Sequence, residues 1–327
     1  MAKLQTEKIG NFRGEKDVAH GIESLWEDVE KALPYIENKL EFVNTIYSRY
    51  SSSPKRKRKL RRTAEVFKVL YLALSRIVET RYVKFLSLAI DSILKNFQII
   101  SAVLEDDFQC QGGGKDADVA FGLLRTLRSE TRVPHLCAIA DVTDHLVSLS
   151  CSAQSSRFSI FEYVDAKKKL FDKISVMSSD DFSVDDKIGS SGKFYCFRLQ
   201  KYKEDLNNKS FQGVRLGKLS PSMALRSSRD SVDCMEVALV TVKKLCNEIL
   251  NHDDRLHTSS FMTAVDTALN PNKFDLSGYS KDLYMSSLYT VSSTLGLVYP
   301  KSKLLKDHKI FFNLLFVEAN QEKFQSY

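Results

Sequence analysis

Glycine and proline are scarce in this chain, with 13 and 6 of them among 327 residues. With so few breakers, and with long stretches of helical period, a many-turned all-β fold is excluded in favour of helices. Cysteine pairing is also missing. The six cysteines (Cys110, Cys137, Cys151, Cys196, Cys234 and Cys246) stand far apart, and none forms a C-x-x-C pair. A zinc ribbon therefore has no support, and buried free thiols in a reducing compartment are expected. No apolar run approaches the roughly 20 residues of a membrane span. Residues 1–17 are polar and charged, unlike a signal peptide, so no membrane partner is expected. A large surplus of one charge is lacking too. The net charge of +7, from 48 basic and 41 acidic residues, does not by itself mark a nucleic-acid binder, so its distribution matters more.

Enzyme signatures are equally thin. No G-x-S-x-G context surrounds a serine. Gly112-Gly113-Gly114-Lys115 lacks the spacing of a phosphate-binding loop and is not followed by Ser or Thr. Asp141 and His145 stand four residues apart, which reads as an exposed helical ion pair rather than a dyad. The cluster from His252 to His257 holds two His and two Asp, but it follows a helix end, where such residues are expected on capping and dipole grounds. No catalytic residue, metal or cofactor is expected.

What is present is helical periodicity. A helix is predicted over 15–33, interrupted by Pro34. In the next, Ile36, Leu40, Val43, Tyr47 and Tyr50 form one stripe. Ser53-Pro54 is a start signal, and the helix behind it is predicted to carry Val66, Leu70, Ala73, Leu74 and Ile77 on one side. From Thr80 a longer helix is predicted, with Val83, Leu86, Ile90, Ile93, Phe97, Ile100 and Leu104 on one face. Residues 105–118 read as a flexible loop. Further helices are predicted over 134–153, 160–177 and from Ser220-Pro221 through Ile249, with smaller ones over 259–269 and 278–295. The organisation is thus a tail (1–14), a helical region (15–177), an exposed flexible insertion (178–219) with a weak strand pattern near Lys193, and a helical C-terminal region (220–327). The fold class is mainly α, a helical bundle.

One charge run stands out. Lys55, Arg56, Lys57, Arg58, Lys59, Arg61 and Arg62 put seven cations into eight residues at the start of a predicted helix. That end already carries the positive pole of the helix dipole, so each exposed cation there costs roughly 0.3–1 kcal/mol. Repulsion at i,i+4 between Lys55 and Lys59, and between Arg58 and Arg62, adds to this. A bound anion would relieve the cost. The partner is nucleic acid, or a nuclear import receptor reading residues 54–59, or the run is a solvated helix end.

Residues 17–107 resemble the hAT transposase superfamily, closest to its zinc-finger-protein-like relatives. In those proteins a Cys-x-x-His opens a helix, a helix ends near Tyr-Ser-x-Tyr, and Ser-Pro-Lys-Arg-x-Arg-Lys-Leu follows. Thr-Arg-Trp then opens a long helix ending in Leu-Lys-Asn-Tyr. Here the matching residues are Asp17-Val18-Ala19-His20, Tyr47-Ser48-Arg49-Tyr50, Ser53 to Leu60, Thr80-Arg81-Tyr82 and Leu94-Lys95-Asn96-Phe97. The resemblance implies the helical insertion domain of such a transposase, with remnants of an RNase H-like core. In the family, three carboxylates of that core hold two metal ions for phosphodiester chemistry. The aromatic of the Arg-Trp pair is linked to stacking on an extruded base.

The departures shape the expectation. Asp17 replaces the motif cysteine and Tyr82 the tryptophan. The family's first two aspartates precede the Cys-x-x-His position, and Glu318 and Glu322, the only late glutamates, lack a recognisable flanking motif. Transposase catalysis is therefore not expected. Tyr82 either stacks on a base or packs in the core. Arg81 either contacts phosphate or caps and pairs locally. His20, without its cysteine, reads as a surface or satisfied histidine rather than a ligand. The function implied is a domesticated, nuclear, hAT transposase-derived binder of nucleic acid, DNA first, compatible with a homo-oligomer. The alternatives are a helical protein-interaction scaffold with an import signal, and a transposon fragment without function.

Overall fold

The computed structural model describes residues 18–78, 82–110, 114–153, 160–220, 222, 225–226 and 232–256. Apart from 160–164, these residues belong to one compact unit. It is mainly helical, as the scarcity of breakers predicts. The helices predicted over 259–269 and 278–295, and Glu318 and Glu322, lie outside the described residues.

The first three helices follow the punctuation closely. They are α1 (Val18–Ala32), α2 (Pro34–Ser51) and α3 (Pro54–Phe67). Ser53 caps α3 by accepting the Arg56 N–H at 3.4 Å, and Pro54 takes the first helical position, where a missing N–H costs nothing. Gly21 in α1 is needed for close approach. A Cβ there would meet the Arg255 carbonyl oxygen at 2.8 Å, in the turn Asp253–Leu256.

Two expectations fail just beyond α3. The helix does not continue through Ile77. Lys68 adopts φ 54°, the left-handed conformation that closes a helix, and donates to the Ala64 and Glu65 carbonyls. Residues 69–78 carry no helix, and Val66 and Leu70 are exposed instead of forming a core stripe. The long helix predicted from Val83 to Leu104 is two helices, α4 (Tyr82–Lys95) and α5 (Phe97–Cys110), meeting at 66°.

Asn96 explains both failures. It is fully buried at the bend, and its amide donates to the Leu72 carbonyl at 2.7 Å while its oxygen accepts the Leu72 N–H at 3.1 Å. Ser92 Oγ accepts the Ser75 N–H at 3.2 Å. The non-helical stretch therefore satisfies its backbone groups on side chains of α4 and the bend. The loop predicted over 105–118 is mostly helix. α5 runs to Cys110, and α6 (Lys115–Leu127), which the periodicity does not predict, starts after Gly114 at φ 141°.

At the centre lies α7 (Arg132–Ala153). Val133, Leu136, Cys137, Ala138, Ile139, Ala140, Val142 and Leu146 are all fully buried. A helix apolar on every side is one surrounded by others. It packs against α4 on one flank and against α11 (Cys234–Asn251) on another. α11 is capped by Asp233, whose side chain accepts the Met235 and Glu236 N–H groups; it does not start at Ser220-Pro221.

Between α8 (Ile160–Ser178) and α11, residues 178–219 carry short elements in place of an exposed insertion. These are α9 (Phe197–Lys201), α10 (Lys203–Asn207), and the antiparallel pair β1 (Ser210–Phe211) and β2 (Val214–Arg215). Lys218–Leu219 (β3) pairs with Leu225–Arg226 (β4). The first hairpin turns on Gln212 and Gly213, both at positive φ, as a two-residue loop matched to strand twist requires. Near Lys193 there is a single bridge, Lys187 to Phe194, rather than a strand. The segment buries Phe182, Val184, Cys196, Leu199, Leu206 and Phe211, and Phe211 meets Phe97 edge-on at 5.0 Å.

Asp141 anchors this segment. It is buried, and its carboxylate accepts the Arg198 and Leu199 N–H groups at 2.9 and 3.0 Å, capping α9 from a different helix. Arg198 returns across the gap to Asp91 at 2.7 Å, Asp144 at 2.6 Å and Asp141 at 3.1 Å. His145 instead bonds the Tyr195 carbonyl at 2.9 Å. Asp141 and His145 are thus neither a dyad nor an exposed ion pair; each holds the 178–219 segment.

Candidate nucleic-acid interface

The basic run lies on α3, and the helix sorts its cations into two sets. At about 100° per residue, Leu60 and Ala64 mark the buried side. Arg56 and Lys59 are half-buried, each under carboxylates of a neighbouring helix. Arg56 reaches Asp116 of α6 at 2.6 Å. Lys59 reaches Asp106 and Asp107 of α5, each at 2.5 Å. Burial opposes the charge on Lys59, but its hydrogen bonds to the two aspartates outweigh this and hold the ammonium above its ordinary range.

Lys55, Lys57, Arg58, Arg61 and Arg62 form the second set. All five are exposed, and none has a carboxylate partner among the described residues. They fall within an arc of about 160°, with Lys57 at the edge nearest Ala64 and Glu65 as the one acid within it. Neighbouring cations of this set repel one another, and among the described residues none of them forms an ion pair. Beyond them the chain leaves Val66, Phe67, Val69 and Leu70 exposed.

A cleft of about 450 Å³ opens beside the N-terminus of α3, bordered by Lys55, Arg56, Lys59, Asp107 and Asp116. Its carboxylates already engage the two inner cations, so an anion entering there competes with them. The outward face of α3 has no such competitor. Cys110 sits at the rim, its thiol donating to Asp106 at 3.0 Å and held above its ordinary pKa by that carboxylate.

Tyr82 is placed elsewhere. Its hydroxyl donates to Glu30 of α1 at 3.0 Å, and Trp26 donates to the same carboxylate oxygen at 2.7 Å. Burial first, then the charge of Glu30 with Glu23 and Glu27 behind it, pushes the phenol far up. Three glutamates around a half-buried ring repel phosphate, so the structure does not join Tyr82 to the cations of α3 as one contact surface. Arg81 lies outside the described residues. His20 is exposed. His252 stands 4.0 Å from Glu248, and Arg255 pairs with Asp28 at 2.6 Å; His257 lies outside the described residues. Among the described residues no three His, Cys, Asp or Glu side chains gather as for a metal ion, and no single helix is long and apolar enough to cross a membrane.

Sequence reasoning finds the run but not its division, because Asp106, Asp107 and Asp116 lie some fifty residues away in the chain. Compared with known protein families, curated proteins and solved structures, the chain matches none.

Proposed function

We propose that this chain is a nuclear, hAT transposase-derived protein that binds nucleic acid, DNA first, without transposase catalysis. The contact set is Lys55, Lys57, Arg58, Arg61 and Arg62, and the same exposed cations serve an import receptor. The single observation behind this is the set of five exposed cations on α3 that have no ion-pair partner among the described residues. Such a set costs stability through self-repulsion and dipole mismatch, and polyphosphate relieves both. The resemblance over residues 17–107 supports the hAT origin and the helical insertion domain as its source.

The test is affinity for duplex DNA against salt. Five phosphate contacts give a slope of at most about −4.5 in log–log form. A flat response removes the reading. A second reading, a scaffold binding proteins only, is favoured by the apolar residues Val66, Phe67, Val69 and Leu70 exposed beyond the same helix. Salt-insensitive binding to a protein partner, lost on making these residues polar, would select it.

A further inference from the structure

α2, the start of α7 and the first half of α11 enclose an open cavity of about 470 Å³ that shares no residue with α3. Tyr35, His135 and Lys244 line it, with Val237 and Val240 as an apolar wall and Glu236 as the one carboxylate on its lining. The rings of Tyr35 and His135 stand 5.6 Å apart. Lys39 and Arg132 are off the lining but act on His135, and the Arg132 guanidinium lies over the Phe42 ring at 4.8 Å and, among the described residues, donates only to the Asn38 carbonyl, at 3.3 Å.

Two independent features of this place need explaining. The first is charge. Lys39, Arg132 and Lys244 all act on His135, and none of the three forms an ion pair among the described residues. Burial, then Arg132, pushes Lys39 down to about 8, and burial pushes Arg132 down to about 10. Burial and then the three cations push His135 down to about 4. The second is orphaned polarity. Among the described residues five buried side-chain polar atoms lack a well-formed hydrogen bond, and three of them meet here: Tyr35 Oη, Arg132 Nε and His135 Nδ1, the last with only the nearby Thr131 carbonyl acting on its ring. Buried polar groups are normally satisfied, so a cluster of orphans beside a cavity marks a missing partner.

We propose that the cavity binds a small organic anion, a phosphate or carboxylate group on an apolar body. The anionic group faces His135, Lys244 and the Tyr35 hydroxyl, with the charges of Arg132 and Lys39 behind them. The body lies against Val237 and Val240. Glu236, at the mouth, selects against a second anionic group on the outer side. The ligand supplies what the protein withholds, acceptors for stranded donors and a counter-charge for three cations.

The full chain is titrated calorimetrically with phenyl phosphate, benzoate, inorganic phosphate and, as the uncharged control, phenol. The His135 ring is followed by NMR against pH. Saturable binding of phenyl phosphate or benzoate, absent with phenol, is expected, and the tighter of the two identifies the anionic group. Saturation raises the pKa of His135, since, burial aside, it is the three cations that lower it, and the ligand's charge opposes them. His135→Gln weakens binding on the order of tenfold, as for loss of one hydrogen bond to a charged group. Lys244→Gln lies at an exposed position, keeps the fold, and weakens binding several-fold. Phenol binding as well as the anions overturns the proposal. So does the absence of saturable binding at millimolar concentration, or a folded Lys244→Gln protein whose affinity and His135 titration match the parent.

Discussion

Arg49 on α2 and Asp107 on α5 meet at 2.9 Å with both side chains more than nine-tenths buried. The same carboxylate takes Lys59 of α3 on its other oxygen. One aspartate thus ties three helices, and it withdraws one cation of the basic run from the surface. Breaking a buried pair by removing one partner costs more than the pair contributes, because the remaining charge stays buried. Asp107→Asn should therefore destabilise by about 3–5 kcal/mol in urea unfolding. Arg49→Met with Asp107→Leu should recover most of that loss. Equal losses in the single and double variants would show that the charge pair is not what matters.

The two sets of cations on α3 should separate experimentally. Arg58, Arg61 and Arg62 form no ion pair among the described residues, so converting all three to Gln should leave stability within roughly 0.5 kcal/mol per site. It should also make the salt slope of DNA binding shallower by about 2.7, at about 0.9 for each phosphate no longer neutralised. Lys59→Met should do the reverse, lowering stability while leaving the slope unchanged. Measured together, melting and the salt slope decide whether the exposed face or the whole run carries binding.

Asn96 makes a third prediction. Its side chain satisfies both the N–H and the carbonyl of Leu72. Asn96→Ala strands two backbone groups, at about 1–3 kcal/mol for each one left buried and unpaired. Amide exchange at Leu72 should accelerate sharply, while Ser75, held by Ser92, should change less. An unchanged Leu72 amide would mean that water replaces the side chain at no cost.

What is legible in the sequence depends on how local its cause is. Ser53-Pro54 starts α3 by itself, and the spacing of Leu136, Ile139, Val142, Leu146 and Leu149 places α7, because caps and periods are properties of neighbouring residues. The bend at Asn96 is hidden because the apolar period runs straight through it, from Ile93 to Phe97 to Ile100. Its cause is Leu72, twenty-four residues earlier. The stop at Lys68 is hidden likewise, since a lysine at positive φ carries no signature and Leu70, Leu74 and Ile77 continue the period on paper. α6 is masked by the glycines before it, and the order of residues 178–219 by their polar composition. In the candidate site the charge run is plain, but its division by Asp106, Asp107 and Asp116 and the glutamates around Tyr82 are tertiary facts. The cavity by His135 draws on three helices and leaves no mark in the chain.

His135 gives the fourth prediction, on pH. An unfolded histidine titrates near 6.5, whereas burial, together with Lys39, Arg132 and Lys244, brings this one down to about 4 in the folded chain. Above about pH 6.5 neither state is protonated and the residue contributes nothing. Between about 6.5 and about 4 the unfolded chain binds a proton that the folded chain refuses. Stability therefore falls as pH falls through that window, and the full penalty stands below it. Lys39 and Arg132 stay charged throughout, and the other titratable groups facing the ring are Lys244 and, exposed at the cavity mouth, Glu236. His135→Gln keeps a polar side chain and removes the titration. The drop in melting temperature from about pH 7 to about pH 4.5 should thus be smaller in the variant than in the parent. An equal drop in both would mean that His135 accepts its proton in the folded protein as readily as in the unfolded chain, and that Lys39, Arg132 and Lys244 do not act on it as their positions imply.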